Sequence, residues 1–218
     1  MKLLAPLVAS SIIVFARFIT AVRGIWQDAE SGDQQTVYFA NHTSNGDFVL
    51  IWTLLPAHVR NKTRPVAAAD YWLTSTIRRF IGRDVFNAVL IERKPEDRTE
   101  DPVTQMSNAL DQGSSLIIFP EGLRNLTDQA LLPFKSGLYH LAKTKPDVPL
   151  TPAWIENLNR VMPKGEIIPI PLVCTVTFGT PLHVEDGEDK ATFLKRAEKA
   201  LLDLNPSKDK CVGEANEC

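Results

Sequence analysis

The chain has 218 residues, 44% of them hydrophobic and 23% charged, with a formal net charge of -2. That length holds one substantial core and is short for two full domains, and the charge excludes broad affinity for nucleic acid, which needs a clear excess of Lys and Arg. Cys174, Cys211 and Cys218 form no C-x-x-C pair and no Cys/His spacing suited to zinc, and their odd number argues against a disulfide framework, which fits a reducing compartment.

The predicted elements begin with an apolar N-terminus. Residues 3–22 are about long enough to cross a bilayer core, although Pro6, Ser10, Ser11 and Arg17 weaken the stretch relative to a standard spanning helix. Lys2 ahead of the apolar run suits a secretory signal, but no A-x-A-like cleavage site follows. The polar interruptions also suit a buried core helix. A membrane-embedded or interfacial anchor is the preferred reading, because Arg17, Arg23 and Trp26 stand where headgroups would be met.

Residues 31–35 read as a polar turn and 37–40 as a short buried strand. An apolar helix is predicted over 47–55, stopping before Pro56, then a strand over 65–69, a helix over 71–81 and a strand over 85–91. After a charged loop at 96–101, Asp101-Pro102 gives a capping acid with proline at the first helical position; Val103, Met106 and Leu110 line one face, and Gly113 ends the helix. The apolar run 116–119 has the continuous hydrophobicity of a strand buried on both faces. Further strands are expected at 148–154 and 172–178. A final helix over 189–204 carries Leu194, Ala197, Leu201 and Leu204, and Asn205-Pro206 stops it. The pattern predicts a single α/β domain over 31–205 with a mixed, largely parallel sheet covered by helices. An N-terminal membrane-associating helix would lie within 1–30, and a disordered tail is expected over 206–218.

Asn41-His42-Thr43-Ser44-Asn45-Gly46-Asp47 joins a predicted strand to a predicted helix, where the carboxyl end of a strand opens a crevice in folds of this class. On a regular helix a separation of five would put His42 and Asp47 on different faces, so a turn must intervene, and Asn45-Gly46 supplies one. Asp47 can then accept from one ring nitrogen and leave the other as a base. The plain alternative makes His42 a turn residue and Asp47 a first-turn acid suited to the helix dipole. Phe119-Pro120-Glu121-Gly122-Leu123-Arg124 follows the most deeply buried strand, so its polar groups emerge at the same edge. Gly122 permits close backbone approach, while Glu121 and Arg124 offer a hydroxyl partner and an anion partner. Ile91-Glu92-Arg93-Lys94 ends another strand with two cations, although surface solvation is the usual fate of Arg.

Four ordered segments together resemble the glycerolipid acyltransferase family, which includes glycerol-phosphate and lysophosphatidic acid acyltransferases. Its N-H-x-x-x-x-D motif is matched by Asn41, His42 and Asp47, and its apolar strand ending in Arg by Val89 to Arg93. F-P-E-G-T-R-S is matched by Phe119 to Asn125, with Leu123 and Asn125 as departures, and V-P-x-x-P by Val148 to Pro152. The resemblance implies that His42 deprotonates an acceptor hydroxyl, which attacks an acyl-CoA or acyl-ACP thioester while Asp47 orients the ring. It further implies that Arg93 and Arg124 hold the acceptor phosphate, that Glu121 and Gly122 position its glycerol part, and that no metal or prosthetic group takes part. The turn at Gly122 is a candidate source of oxyanion donors.

The expected acceptor is a lysophospholipid, 1-acyl-sn-glycerol-3-phosphate first, at the cytoplasmic face of a membrane. Where the family often has a Lys in a K-x-E-L-like segment, this chain reads Ala68-Ala69-Asp70-Tyr71, a departure that bears on the acceptor. A serine hydrolase is disfavoured, since there is no G-x-S-x-G elbow to aim Ser44. A coenzyme-independent transacylase would use the same dyad with a phospholipid donor. A silent lipid-binding protein would have no use for a base and its orienting acid.

Overall fold

The computed structural model describes residues 2–27, 34–156 and 173–206. Helix α1 (Ala5–Thr20) and strand β1 (Arg23–Trp26) come first. Then follow β2 (Val37–Ala40), α2 (Asp47–Leu54), α3 (Ala57–Arg60), β3 (Thr63–Ala68), α4 (Ala69–Trp72), α5 (Thr76–Phe80) and β4 (Val89–Ile91). The rest is α6 (Pro102–Asp111), β5 (Ser115–Ile118), α7 (Gly137–Thr144), β6 (Leu150–Glu156), β7 (Thr175–Phe178) and α8 (Lys190–Leu202). The strands make one sheet in the order β1-β7-β6-β2-β5-β3-β4. Every pairing is parallel except that of β6 with β7.

Strands β2 and β5 are buried at every position, as parallel strands covered on both faces must be. Alternation then sends Val37, Phe39, Leu116, Ile118 and Leu150 to the face covered by α6, α7 and α8. Tyr38, Ala40, Ile117, Ala153 and Phe178 face α1 and α2. The α/β class and the largely parallel sheet expected from the sequence are therefore present.

Boundaries differ where tertiary contacts override local pattern. The helix expected over 71–81 is broken: Trp72 turns its ring against Phe48 and Phe86, Ser75 accepts from the Arg78 N–H to start α5, and a π-helical turn spans Ile81–Val85. That turn, and Asn87 at a φ of 49°, shorten the expected strand over 85–91 to β4. Three elements escaped the pattern, among them the single turn of α3. Strand β1 is largely exposed, without buried-face alternation; it is held by its register on β7 and by Trp26 stacked 3.7 Å from Phe178. The sheet thus begins before residue 31. Helix α7, short, preceded by Ser136 and opening on Gly137, was the third. Parts of the predicted turn at 31–35 and strand at 172–178, and the tail beyond 206, lie outside the described residues.

Among the described residues no helix is long and apolar enough to cross a membrane. Helix α1 packs Ala5, Ala16 and Thr20 inward and leaves Leu7, Val14, Phe15 and Phe18 exposed.

Leu201 has no exposed surface and anchors α8 on the sheet, so Leu201→Ala is expected to cost about 2–5 kcal/mol in urea unfolding. Asp101 caps α6 through the N–H groups of Val103 and Thr104, and Asp101→Ala should cost about 1 kcal/mol in the same measurement.

Candidate active site

Past the end of β2, Asn41 is buried and reaches across to β6, its amide donating to Ile155 O (3.0 Å) and its oxygen accepting from Ile155 N–H (2.7 Å). The side chain adds a rung to the sheet and fixes where the next loop begins. His42 follows, then a turn through residues 43–46, then Asp47 as the first residue of α2.

Asp47 is completely buried. Its Oδ2 accepts from His42 Nδ1 (2.8 Å) and from the N–H groups of Thr43 (2.6 Å) and Ser44 (2.8 Å). The turn thus brings together two side chains that helical spacing would part. A carboxylate oxygen can only accept, so the ring nitrogen 2.8 Å from it must donate, which assigns the proton to Nδ1 and leaves the Nε2 lone pair free. The imidazole stacks on Phe119 at 4.2 Å and 19°, and its side chain keeps 20% of its surface exposed. Ser44 Oγ accepts from Gly46 N–H (3.3 Å), so this serine closes the turn.

The backbone of His42 is clamped by the 119–125 segment. Glu121 Oε1 accepts from the His42 N–H (2.8 Å) and Oε2 from the Leu132 N–H (2.8 Å), while Asn125 N–H donates to His42 O (2.6 Å). Burial pushes the Glu121 carboxyl above the ordinary carboxylate range, with the two N–H donors pulling the other way. Both oxygens face inward. The geometry makes Glu121 a positioning residue for His42, where the resemblance implied contact with the acceptor's glycerol.

Gly122 has a φ of 70°, the left-handed region that a side chain disfavours. Its N–H donates to Phe119 O (2.9 Å), closing the turn, so Gly122 itself does not offer the oxyanion donor expected there. A Cβ at this position would lie 2.7 Å from Lys135 Cε and Nζ, because the lysine side chain crosses the turn. Lys135 was missed in the sequence. The available signal was its place just before α7, since a cation at a helix N-terminus opposes the dipole and calls for a neighbouring anion.

Arg124 continues this loop, exposed and without an ion pair among the described residues. Arg93 lies farther along the sheet, where its Nε meets Asp70 Oδ1 (3.1 Å) and Oδ2 (3.0 Å) and its Nη2 meets Oδ2 (2.6 Å). Direct contacts therefore unite His42, Asp47 and Glu121, with Gly122 and Arg124 in the same loop; Arg93 belongs to a separate pair. Cys174, fully buried, has its thiol pushed up to about 11 by burial, with the Asp47 charge adding, so it is neutral and no nucleophile. A partly exposed imidazole backed by a buried carboxylate and flanked by cations can take a proton from an alcohol of an anionic molecule.

A protein-family model described as Acyltransferase matches residues 21–156. A 1-acyl-sn-glycerol-3-phosphate acyltransferase of Cocos nucifera is 26% identical over 75% of this chain and 51% of its own length. One of Limnanthes douglasii is 27% identical over 87% and 66%, and one of Escherichia coli (strain K12) 29% identical over 62% and 54%. The chain thus spans about half to two thirds of the length of these relatives. Among solved structures, the 1-acyl-sn-glycerophosphate (LPA) acyltransferase PlsC from Thermotoga maritima superimposes with a TM-score of 0.68 at 21% identity, covering 90% of this chain and 78% of that one.

Because the folded state holds Glu121 above its unfolded value, it favours the protonated form; this contribution to stability is full below the unfolded value and is lost as pH rises through the folded one. Glu121→Gln should flatten the plot of urea midpoint against pH in that window; an unaltered slope would contradict the assignment. Gln also sets an NH2 group against one of the two N–H donors, so the His42 loop should loosen.

Proposed function

Because the chain belongs to the acyltransferase family, whose model covers more than half of it, we propose that it moves a fatty acyl group from a thioester, acyl-CoA or acyl-ACP, to the free hydroxyl of a lysophospholipid. The observation that carries this reading is the 2.8 Å bond between His42 Nδ1 and a buried Asp47 oxygen that two backbone N–H groups already occupy, because it leaves Nε2 as a poised base. The names of the relatives favour 1-acyl-sn-glycerol-3-phosphate as the first acceptor to test, with phosphatidic acid as its product.

In the reaction, Nε2 takes the hydroxyl proton as the oxygen attacks the thioester carbonyl carbon. The tetrahedral intermediate collapses, the carbon–sulfur bond breaks, and the imidazolium passes its proton to the leaving sulfur, which departs as the thiol and restores the neutral base. Asp47 stabilises that imidazolium and fixes its ring; Phe119 holds the ring plane. Glu121 sets the backbone from which the ring projects. Arg124 and Lys135 are the cations beside this loop that an acceptor phosphate or the phosphates of a donor would meet, and Arg93 is a further one at the same edge. Neither a metal nor a prosthetic group enters these steps.

A lipid acceptor is insoluble, so the site gains from being held at a bilayer, at its cytoplasmic face where activated acyl donors are found. The outward face of α1, with Leu7, Val14, Phe15 and Phe18, continued by Leu3 and Leu4 in the turn before it, supports an in-plane, interfacial placement of that helix.

His42→Ala is expected to lower acyl transfer by at least about a hundredfold, as loss of a general base does, with the melting temperature retained. The assay is transfer of labelled acyl groups from acyl-CoA, acyl-ACP or phospholipid to a panel of lysolipids. Undiminished turnover in that variant sinks the mechanism, and transfer from phospholipid alone identifies a transacylase. Substituting Phe15 and Phe18 together by Ser should reduce sedimentation with vesicles; an unaltered bound fraction removes α1 as the anchor.

A further inference from the structure

The side of the sheet that carries α1 and α2 is also where arginines gather. Helices α1, α2, α3 and α5 and the π-helical turn at Ile81–Val85 bear Arg17, Arg60, Arg78, Arg79 and Arg83. The acids there, with α4 included, are Asp47, which is buried against His42, Asp70, which Arg93 engages, and Asp84. Helix α6, on the opposite side, carries Asp111 and no cation. A chain of formal net charge -2 thus holds one locally positive face.

Within this face, α5 and the turn after it are made for a surface and not for a core. No residue of α5 is buried; Ile77 is 71% exposed, Arg78 and Arg79 follow it directly, and Arg83 is exposed as well. Arg78 lies 4.5 Å over the Tyr71 ring and donates to Thr74 Oγ1 (3.1 Å), while Arg79 donates to Leu73 O (3.2 Å). These bonds stay within one surface segment, and none of the three arginines forms an ion pair among the described residues. Most of their N–H donors therefore remain for an anion from outside. The patch adjoins α1, which packs against the π-helical turn; Ile81 enters the same apolar cluster as Ala9, Ile12 and Ile13 of that helix. The exposed row Leu7, Val14, Phe15 and Phe18 and the arginines around Ile77 are thus neighbouring parts of one side of the molecule.

Resting on the interfacial placement of α1 given above, we infer that Arg78, Arg79 and Arg83 form, with Ile77, a second membrane contact that makes docking depend on anionic lipid. Its partner is a bilayer surface of net negative charge. A guanidinium meets a lipid phosphate with two parallel N–H donors, and an exposed isoleucine among such groups suits the boundary between headgroups and acyl chains. The two contacts do different work. Burial of the α1 face is indifferent to lipid charge, whereas each cation held near an anionic surface strengthens partitioning by about fivefold, an effect that salt screens. Their contributions are therefore separable by experiment.

The test is sedimentation of the purified full chain with vesicles of phosphatidylcholine, alone or with about one third phosphatidylglycerol, over a salt series. The native chain should partition onto the anionic vesicles at least about tenfold more strongly than onto the neutral ones. That difference should vanish toward about 1 M salt, where the Debye length is about 3 Å. Arg78→Gln, Arg79→Gln and Arg83→Gln together should remove at least about tenfold of the anionic partitioning, with the neutral partitioning and the melting temperature retained. If that variant folds poorly, Arg83→Gln alone, whose side chain makes no hydrogen bond or ion pair among the described residues, should still cost about fivefold. As a matched control, Lys190→Gln, Lys195→Gln and Lys199→Gln remove three exposed cations from α8 on the opposite side and should leave the preference in place. Equal binding of the native chain to both kinds of vesicle overturns the inference and leaves α1 as the anchor. A preference that survives loss of the arginines, or that the α8 variant loses to the same extent, also overturns it. Binding to neither vesicle overturns the inference and the interfacial placement of α1 together.

Discussion

Three donors on one buried oxygen hold this site together. Asp47 has no contact with solvent, and its Oδ2 gathers the His42 ring and the first two N–H groups of the turn that follows it. The three donors on Oδ2 compensate part of the hydration this buried carboxyl gives up, while Oδ1 has no partner among the described residues, so the acid and the loop geometry depend on each other. The same bonds leave a single ring nitrogen exposed. Packing, loop conformation and proton inventory are thus one constraint, and the base exists because the acid is buried.

The surrounding sheet turns that constraint into a site. Two neighbouring parallel strands, β2 and β5, end at one edge, so the His42 loop and the Pro120-Glu121-Gly122 turn leave the core side by side. Glu121 then spends its carboxylate on the backbone of His42 and on the Leu132 N–H, a cost in desolvation repaid by immobility where the chemistry needs it. Lys135 crosses the Gly122 turn, supplying a cation where the turn's own N–H is already engaged. Farther along, Asp70 and Arg93 give the edge a balanced pair in place of a free positive charge.

Elements with strong local signals formed as read. The continuous apolar runs of β2 and β5, and the Asp101-Pro102 start of α6, carry their own physical cause in a few residues. Elements stabilised from outside did not announce themselves. β1 exists because β7 pairs with it and Trp26 finds Phe178, and the helix expected over 71–81 breaks because Trp72 is drawn to Phe48 and Phe86. No window of sequence contains such partners, since they lie tens to more than a hundred residues away.

By itself the sequence put His42 and Asp47 on either side of a turn-forming Asn45-Gly46 between a buried strand and a helix, which allows them to meet, and the resemblance across four ordered segments favoured that reading over a turn histidine and a first-turn acid. It also placed Glu121, Gly122 and Arg124 at the same edge, because they follow a strand whose continuous apolar run marks it as buried in a largely parallel sheet. Only the tertiary structure decided what those groups do: that Glu121 turns inward, that Gly122's N–H closes its own turn, that Lys135 lies above it, and that Arg93 is engaged by Asp70. Hydrogen-bond direction and ion pairing depend on distances of a few ångströms between segments far apart in the chain, and these are set by packing alone.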